Sequence, residues 1–245
     1  MPGYSQANRP LSVTTPLGQD VLLLVGFRGE EAISRLFRFQ LDLLADRKAT
    51  VAFDRIIGRN VTVTLRLPGG GQRCFNGIVS RFSQGKRDAS FTHYRAEVVP
   101  QFWLWTRRAQ CRIFQQLSVP EILKRVLDKL NVTFEITGQY APRDYCVQYR
   151  ETDFAFASRL MEEEGIYYFF RHTERDHPMV VTDGATRHPS LPGQAAVPYV
   201  EDEGGVRPPL RVTDWVKTQE VRSGRYTLWD HCFELPGRNL EATAL

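Results

Sequence analysis

Three consecutive glutamates, Glu162, Glu163 and Glu164, carry the densest potential chemistry in the second half of the chain. A carboxyl group with a raised pKa can protonate a glycosidic oxygen. Glycoside cleavage then needs a second carboxylate roughly 5 to 9.5 Å away, and nothing in the sequence places one. His172, Asp176 and His177 are spaced closely enough to share a metal. A structural zinc site needs four ligands in a tetrahedron, and neither a third strong ligand nor such a set is apparent. Cys74, Cys111, Cys146 and Cys232 are far apart, with no CxxC pair, so reduced, partly buried thiols are expected. Trp103 and Trp105 are able to stack on a sugar or a base, but burial in a core is the stronger reading for such large rings. The sequence has no G-x-S-x-G elbow, phosphate-binding glycine loop, G-x-G-x-x-G or H-E-x-x-H. Enzymatic chemistry is disfavoured, and no cofactor is expected. Scaffolding and contact roles are left.

The glutamates end a helix. Thr152 and Asp153 suit its N-terminus, Phe154, Ala157 and Met161 share a face, and Gly165 supplies a left-handed stop. Carboxylates in a last turn oppose the helix dipole, so packing or basic partners must outweigh that conflict. The apolar run Ile166–Phe170 then suits a strand buried on both sides. Upstream, Ser118-Val119-Pro120-Glu121 has the form of a capping box. Val119, Ile122, Leu123, Val126, Leu127 and Leu130 follow at helical spacing.

Before residue 110 the periodicity changes to that of strands. Phe37, Phe39, Leu41 and Leu43 alternate with polar residues, as do Val61, Val63, Leu65 and Leu67. Pro68–Gly71 suggests a hairpin into Arg73–Phe82, and Phe91–Val99 forms a further strand, with a short helical turn near Phe53–Ile57. Such antiparallel strands can curl into a small barrel. Late in the chain, Met179–Thr182 reads as a strand, residues 188–210 as a long loop, and Trp215–Val221 with Arg225–Leu235 as a second hairpin. The fold expected is α+β and predominantly antiparallel β: small β-barrels with an intervening two-helix segment. Residues 1–16 form a flexible arm, 17–110 a first barrel, 111–172 a helix-containing connection and 173–245 the start of a second, truncated barrel.

Net charge is +4, with residues 1–100 carrying 14 basic and 8 acidic side chains and the remainder 18 and 20. That asymmetry could orient end-to-end assembly. The absence of any long basic run argues against nucleic-acid binding. No apolar run approaches the length of a bilayer span. The first residues lack a secretory leader, which implies synthesis in the cytoplasm.

Several separated motifs resemble the N-terminal hub region of the VgrG family, the spike proteins of type VI secretion. They are Thr15–Leu44, Phe75–Gln84, Tyr94–Leu123, Asp144–His172 and Gly224–Pro236, and they cover nearly the whole chain after residue 14. The resemblance implies a homotrimer whose paired barrels form a six-fold ring matching the hexameric Hcp tube. It also implies passive membrane puncture driven by sheath contraction, and secretion by that system without a signal peptide. The PAAR tip and effectors would attach through C-terminal regions beyond this sequence. The related alternative is the tail hub of a contractile phage or tailocin. A cell-wall hydrolase using Glu162–Glu164 is the rival of a different class. On the hub reading, Glu162, Glu163 and Glu164 are candidate interaction residues.

Overall fold

The computed structural model describes residues 4–67, 70–184, 196–200 and 211–244. The chain divides into a unit spanning residues 1–189 and another spanning 190–245. The first unit begins with the expected alternating strands. They are β1 (Leu11–Thr14), β2 (Leu23–Glu30), β3 (Arg38–Asp46), β4 (Asn60–Arg66), β5 (Gln72–Arg87) and β6 (Phe91–Val99). All pair antiparallel in the order β1-β4-β5-β6-β3-β2. Phe39, Leu41, Leu43 and Ala45 point inward from β3 while their neighbours face solvent, as the period of two requires. Gly77 on β5 has no room for a side chain, because a Cβ there would lie 2.7 Å from Val98 Cγ1. The sheet curls until its two edge strands approach each other, giving a nearly closed barrel.

The edges are joined by a side chain. Gln6, 4% exposed, accepts hydrogen bonds at Oε1 from the N–H groups of Val13 (3.0 Å) and Leu24 (2.9 Å). Its Nε2 donates to the carbonyls of Val13 (3.3 Å) and Leu22 (3.1 Å). One amide side chain thus occupies the place of a missing ladder rung between β1 and β2. The expectation of a flexible arm over residues 1–16 is corrected here: Leu11–Thr14 pair with Thr62–Leu65. A polar, proline-bearing composition conceals a segment held by hydrogen bonding together with burial of Val13 in the barrel core.

A second core follows in the same unit. It contains β7 (Ala109–Phe114), α1 (Val119–Val126), β8 (Val132–Glu135), β9 (Cys146–Thr152), α2 (Asp153–Glu163), β10 (Tyr167–Phe170) and β11 (Met179–Thr182). At the start of α1, Glu121 Oε2 accepts from Ser118 N–H (2.8 Å) and from Ser118 Oγ (2.7 Å). Val119, Ile122, Leu123, Val126 and Leu127 are all buried. The helix stops at Val126 rather than Leu130, and Trp105 Nε1 donates to the freed carbonyl of Val126 at 3.0 Å.

Helix α2 is capped by Thr152, whose Oγ1 accepts from Ala155 N–H at 3.0 Å, and Gly165 ends it at φ +67°. Its inner face is rotated from the expected stripe. Phe156 and Leu160 join Ala157 and Met161 in the core, while Phe154 is partly buried. The strand enclosed on both sides is β11, not β10: Met179–Thr182 are all buried, lying between antiparallel β10 and parallel β8. Met179–Thr182, expected in the second barrel, therefore belongs to this three-stranded sheet.

In the second unit β12 (Tyr226–Asp230) pairs with β13 (Leu240–Ala244). The expected strand at Trp215–Val221 does not form, because β12 finds its partner downstream instead. Most of the loop expected over 188–210, and Pro68 with Gly69 of the first hairpin turn, lie outside the described residues.

Candidate interaction site

The acidic end of α2 is organised by arginines. Glu163 Oε2 accepts from Arg143 Nη1 at 2.7 Å and Glu164 Oε1 from Arg143 Nη2 at 2.6 Å, so one guanidinium spans two neighbouring carboxylates. Glu163 Oε1 also accepts from Arg159 Nη1 at 3.1 Å, one helical turn back. Arg159 Nη2 continues the row to Glu151 Oε1 at 2.7 Å. Positive charge in the row meets the negative end of the helix dipole and removes the conflict visible in the sequence. Glu162 is exposed and stands outside the row. Burial pulls the Glu163 carboxyl upward, but hydrogen bonds from Arg143 and Arg159 outweigh it, and the group sits below the ordinary glutamate value. A glycosidase acid needs the opposite shift.

At the other end of α2, Asp153 is fully buried. Its Oδ2 accepts from Arg108 Nε at 2.9 Å, and its Oδ1 from Arg112 Nη2 (2.6 Å) and Gln148 Nε2 (2.9 Å). The Asp153 N–H donates to the Arg108 carbonyl at 2.8 Å. The carboxylate binds β7, β9 and the turn before β7 to the first residue of the helix, where an anion suits the dipole. Sequence reading gave Asp153 a capping role and missed the network. Arg112 and Gln148 at inward strand positions were the available signal.

The two histidines are structural. His177 Nε2 accepts from Gln101 N–H at 2.9 Å, and its Nδ1 lies 2.6 Å from Asn76 Oδ1. Burial, with the neighbouring His172 adding to it, lowers His177 to about 4, so the ring is neutral at pH 7. His172 Nε2 lies 2.7 Å from Glu31 Oε1, and its ring packs against Phe37 and Phe39. Among the described residues no group of three His, Cys, Asp or Glu side chains is arranged to hold a metal. The cysteines are free thiols, with Cys146 buried and Cys111 exposed. Trp105 is buried, and Trp103 lies beneath the Arg107 guanidinium at 4.5 Å. A surface groove of about 730 Å³ on the outer face of the barrel is lined by Arg28, Asp42, Arg81, Ser83, Arg95 and Glu97. It holds no cysteine, histidine or paired nucleophile and base.

The sequence pattern of the phage tail baseplate hub (GPD) family matches residues 30–245. The chain belongs to that family. This hub chain is 44% identical over 239 residues to the type VI secretion system spike protein VgrG1a of Pseudomonas aeruginosa, covering 96% of the chain and 37% of VgrG1a. With VgrG1c of the same organism the identity is 42%, covering 97% of the chain and 33% of the relative. It thus spans about a third of these relatives, and the expected kinship with VgrG is borne out. Among solved structures, the hub fold is shared with the E. coli c3393 protein, described as a type VI secretion component similar to phage T4 tail proteins gp27 and gp5. That match has a TM-score of 0.65 at 22% identity and covers 73% of this chain and 50% of the other. The tail protein of Neisseria meningitidis MC58 matches with a TM-score of 0.51 at 14% identity, covering 90% of this chain and 59% of that one. The expected barrel-containing, predominantly antiparallel architecture is that of tail hubs.

Proposed function

We propose that this chain forms part of the hub of a type VI secretion spike, a non-enzymatic adaptor between the hexameric Hcp tube and the puncturing needle. Identity of 40 to 44% to three VgrG spike proteins over 96 to 97% of the chain carries this reading. The hub acts as a homotrimer assembled in the cytoplasm and exported by sheath contraction. It crosses membranes by passive puncture, binds neither nucleic acid nor cofactor, and leaves the PAAR tip and effectors to other parts of the spike. Of the glutamate triplet, Glu162 is the residue available for contact, since Glu163 and Glu164 are engaged within the fold. Mixing the purified chain with Hcp hexamers and weighing the products by native mass spectrometry tests the adaptor role. A chain–Hcp complex is expected, and separate species at every ratio would overturn it.

The family description and the likeness to a Neisseria tail protein favour a second reading, the hub of a contractile phage or tailocin. Capsid and tail-fibre genes beside this one, without Hcp and sheath genes of the secretion type, would decide for it. The hydrolase reading finds no support in the paired, downward-shifted Glu163.

A further inference from the structure

The loop joining β10 to β11, residues 171–178, is fastened to the barrel by a row of hydrogen bonds that all run one way. Gln101 N–H donates to His177 Nε2 at 2.9 Å. Because Nε2 accepts, the proton of the neutral ring sits on Nδ1, which donates to Asn76 Oδ1 of β5 at 2.6 Å. Asn76 Nδ2 donates to Thr62 Oγ1 of β4 at 2.7 Å, and Thr62 Oγ1 donates to the Glu174 carbonyl, back in the loop, at 2.8 Å. His177, Asn76 and Thr62 are all buried. The row crosses from the loop to the barrel and returns, and its direction is set by a neutral His177.

A second proton meets different surroundings on the two histidines. On His172, Nε2 donates to Glu31 Oε1 at 2.7 Å and Nδ1 accepts from the Asn76 N–H at 3.0 Å. A proton added at Nδ1 would find the Asn76 carbonyl, also 3.0 Å away. Arg73 reaches the same Glu31 carboxylate at 3.7 Å. On His177 the added proton goes to Nε2, where it confronts the Gln101 N–H and finds no acceptor. The charged groups facing His177 are Asp176 beside it and His172, whose ring centroid lies 6.4 Å away. Phe37 and Phe170, packed on the ring, bring no charge, and neither do Asn76 and the Gln101 backbone. Asp176 is already committed: its Oδ1 accepts from the His177 N–H at 2.8 Å and its Oδ2 from Asn131 Nδ2. A charged His177 therefore breaks the first bond of the row.

We propose that residues 171–178 form an acid-released latch: a second proton on His177 frees the loop from the barrel while the barrel and the second core each stay folded. Contacts outside the loop keep the two cores joined. Ser34 N–H donates to the Tyr168 carbonyl at 2.8 Å, and Phe170 packs edge-on against Phe37 with ring centroids 5.1 Å apart. With the latch open, the cores hinge about that contact instead of moving as one body. The latch lies within one copy and involves neither a second chain nor Hcp. A ring in the freed loop titrates at about 6.5 and the docked ring at about 4, so the freed loop takes up its proton first and docking weakens as pH falls. The opening equilibrium rises roughly a hundredfold between pH 7 and pH 4.

Amide hydrogen exchange of the full chain, followed by NMR and corrected for the intrinsic pH dependence of exchange, reads the latch directly. The Gln101 and Asn76 amides, which donate to the two rings, should lose protection by roughly tenfold or more between pH 7 and pH 4. Leu41 and Ala96 in the barrel should keep theirs, as should Leu127 of the second core, whose N–H donates to the Leu123 carbonyl. Nitrogen chemical shifts of the wild-type ring at pH 7 should put the His177 proton on Nδ1, a check that needs no variant. His177→Gln cannot gain the charge and should abolish the acid response, whereas His172→Gln should retain it. Four results would each overturn the latch: protection unchanged in acid, loss shared equally by Leu41, Ala96 and Leu127, a proton on His177 Nε2 at pH 7, or an acid response that survives His177→Gln or vanishes in His172→Gln.

Discussion

Replacing Gln6 by leucine should open the barrel at its seam. The substitution retains an apolar stem of similar size but removes four hydrogen bonds to backbone, those with Val13 N–H and C=O, Leu22 C=O and Leu24 N–H, and a fifth, longer one to Asp20 Oδ1. Leaving a buried polar group without a partner costs about 1 to 3 kcal/mol. Four such groups would set an upper limit near 12 kcal/mol if none relaxed. Edge strands can separate and admit water, so a destabilisation of about 4 kcal/mol is expected, most of it as local opening. That corresponds to loss of roughly three powers of ten in amide protection. Hydrogen exchange followed by NMR should place the loss at Val13 and Leu24, with Leu41 and Ala96 in the β3–β6 ladder much less affected. Gln6→Glu sharpens the test, because an ionised carboxylate would face the Val13 and Leu22 carbonyls and its protonation in acid should restore part of the protection. A urea midpoint within about 1 kcal/mol of wild type, with Val13 and Leu24 still protected in Gln6→Leu, would refute the clamp.

Leu123→Ala on the buried face of α1 should lose about 2 to 5 kcal/mol in urea melts, while Lys124→Ala on its exposed face should change little. Equal small effects would show that the face is not buried as described. His177 is lowered to about 4, so the unfolded chain takes up a proton first, near pH 6.5, and stability falls as pH drops from about 6.5 towards 4. The limit is about 3 kcal/mol; His177→Gln should flatten that dependence, and an unchanged slope would contradict the assignment. Asp153→Ala should cost about 3 kcal/mol by stranding Arg108, Arg112 and Gln148, and Asp153→Asn less. Near-neutral urea midpoints for both would remove this carboxylate from the account. Glu162→Arg should leave the urea midpoint within about 0.5 kcal/mol while weakening Hcp binding, and unaltered binding would withdraw its contact role.

Elements whose apolar period matches their own geometry were legible in the sequence. Strands β3, β4 and β6 and helix α1 show their buried faces directly, and Gly165 marks the end of α2. The conflict between three glutamates and the helix dipole was legible too. Its resolution was not, because Arg143 lies some twenty residues upstream and reaches the glutamates only through tertiary folding. Strand pairing was lost for the same reason. Nothing local says that Met179–Thr182 will join β8, more than forty residues earlier, or that Tyr226–Asp230 will prefer Leu240–Ala244 to Trp215–Val221. The place of Gln6 was not legible because its contribution is directional: a composition rule counts it as one more polar residue of the first sixteen and cannot see four backbone groups converging on one amide.

The place of β1 in the sheet also has a consequence for synthesis. Leu11 pairs with Leu65 and Thr14 with Thr62, so the strand made first finds its neighbour only after about fifty further residues have been joined. At roughly 5 to 20 residues per second, β1 waits about 3 to 10 s at the ribosome with its sheet partner unmade. The loop held by Gln6 is shorter, because Val13, Leu22 and Leu24 are all complete within the first 24 residues. The clamp can therefore close before the ladder exists, tying β1 to β2 early and keeping a nascent edge from pairing with the wrong chain.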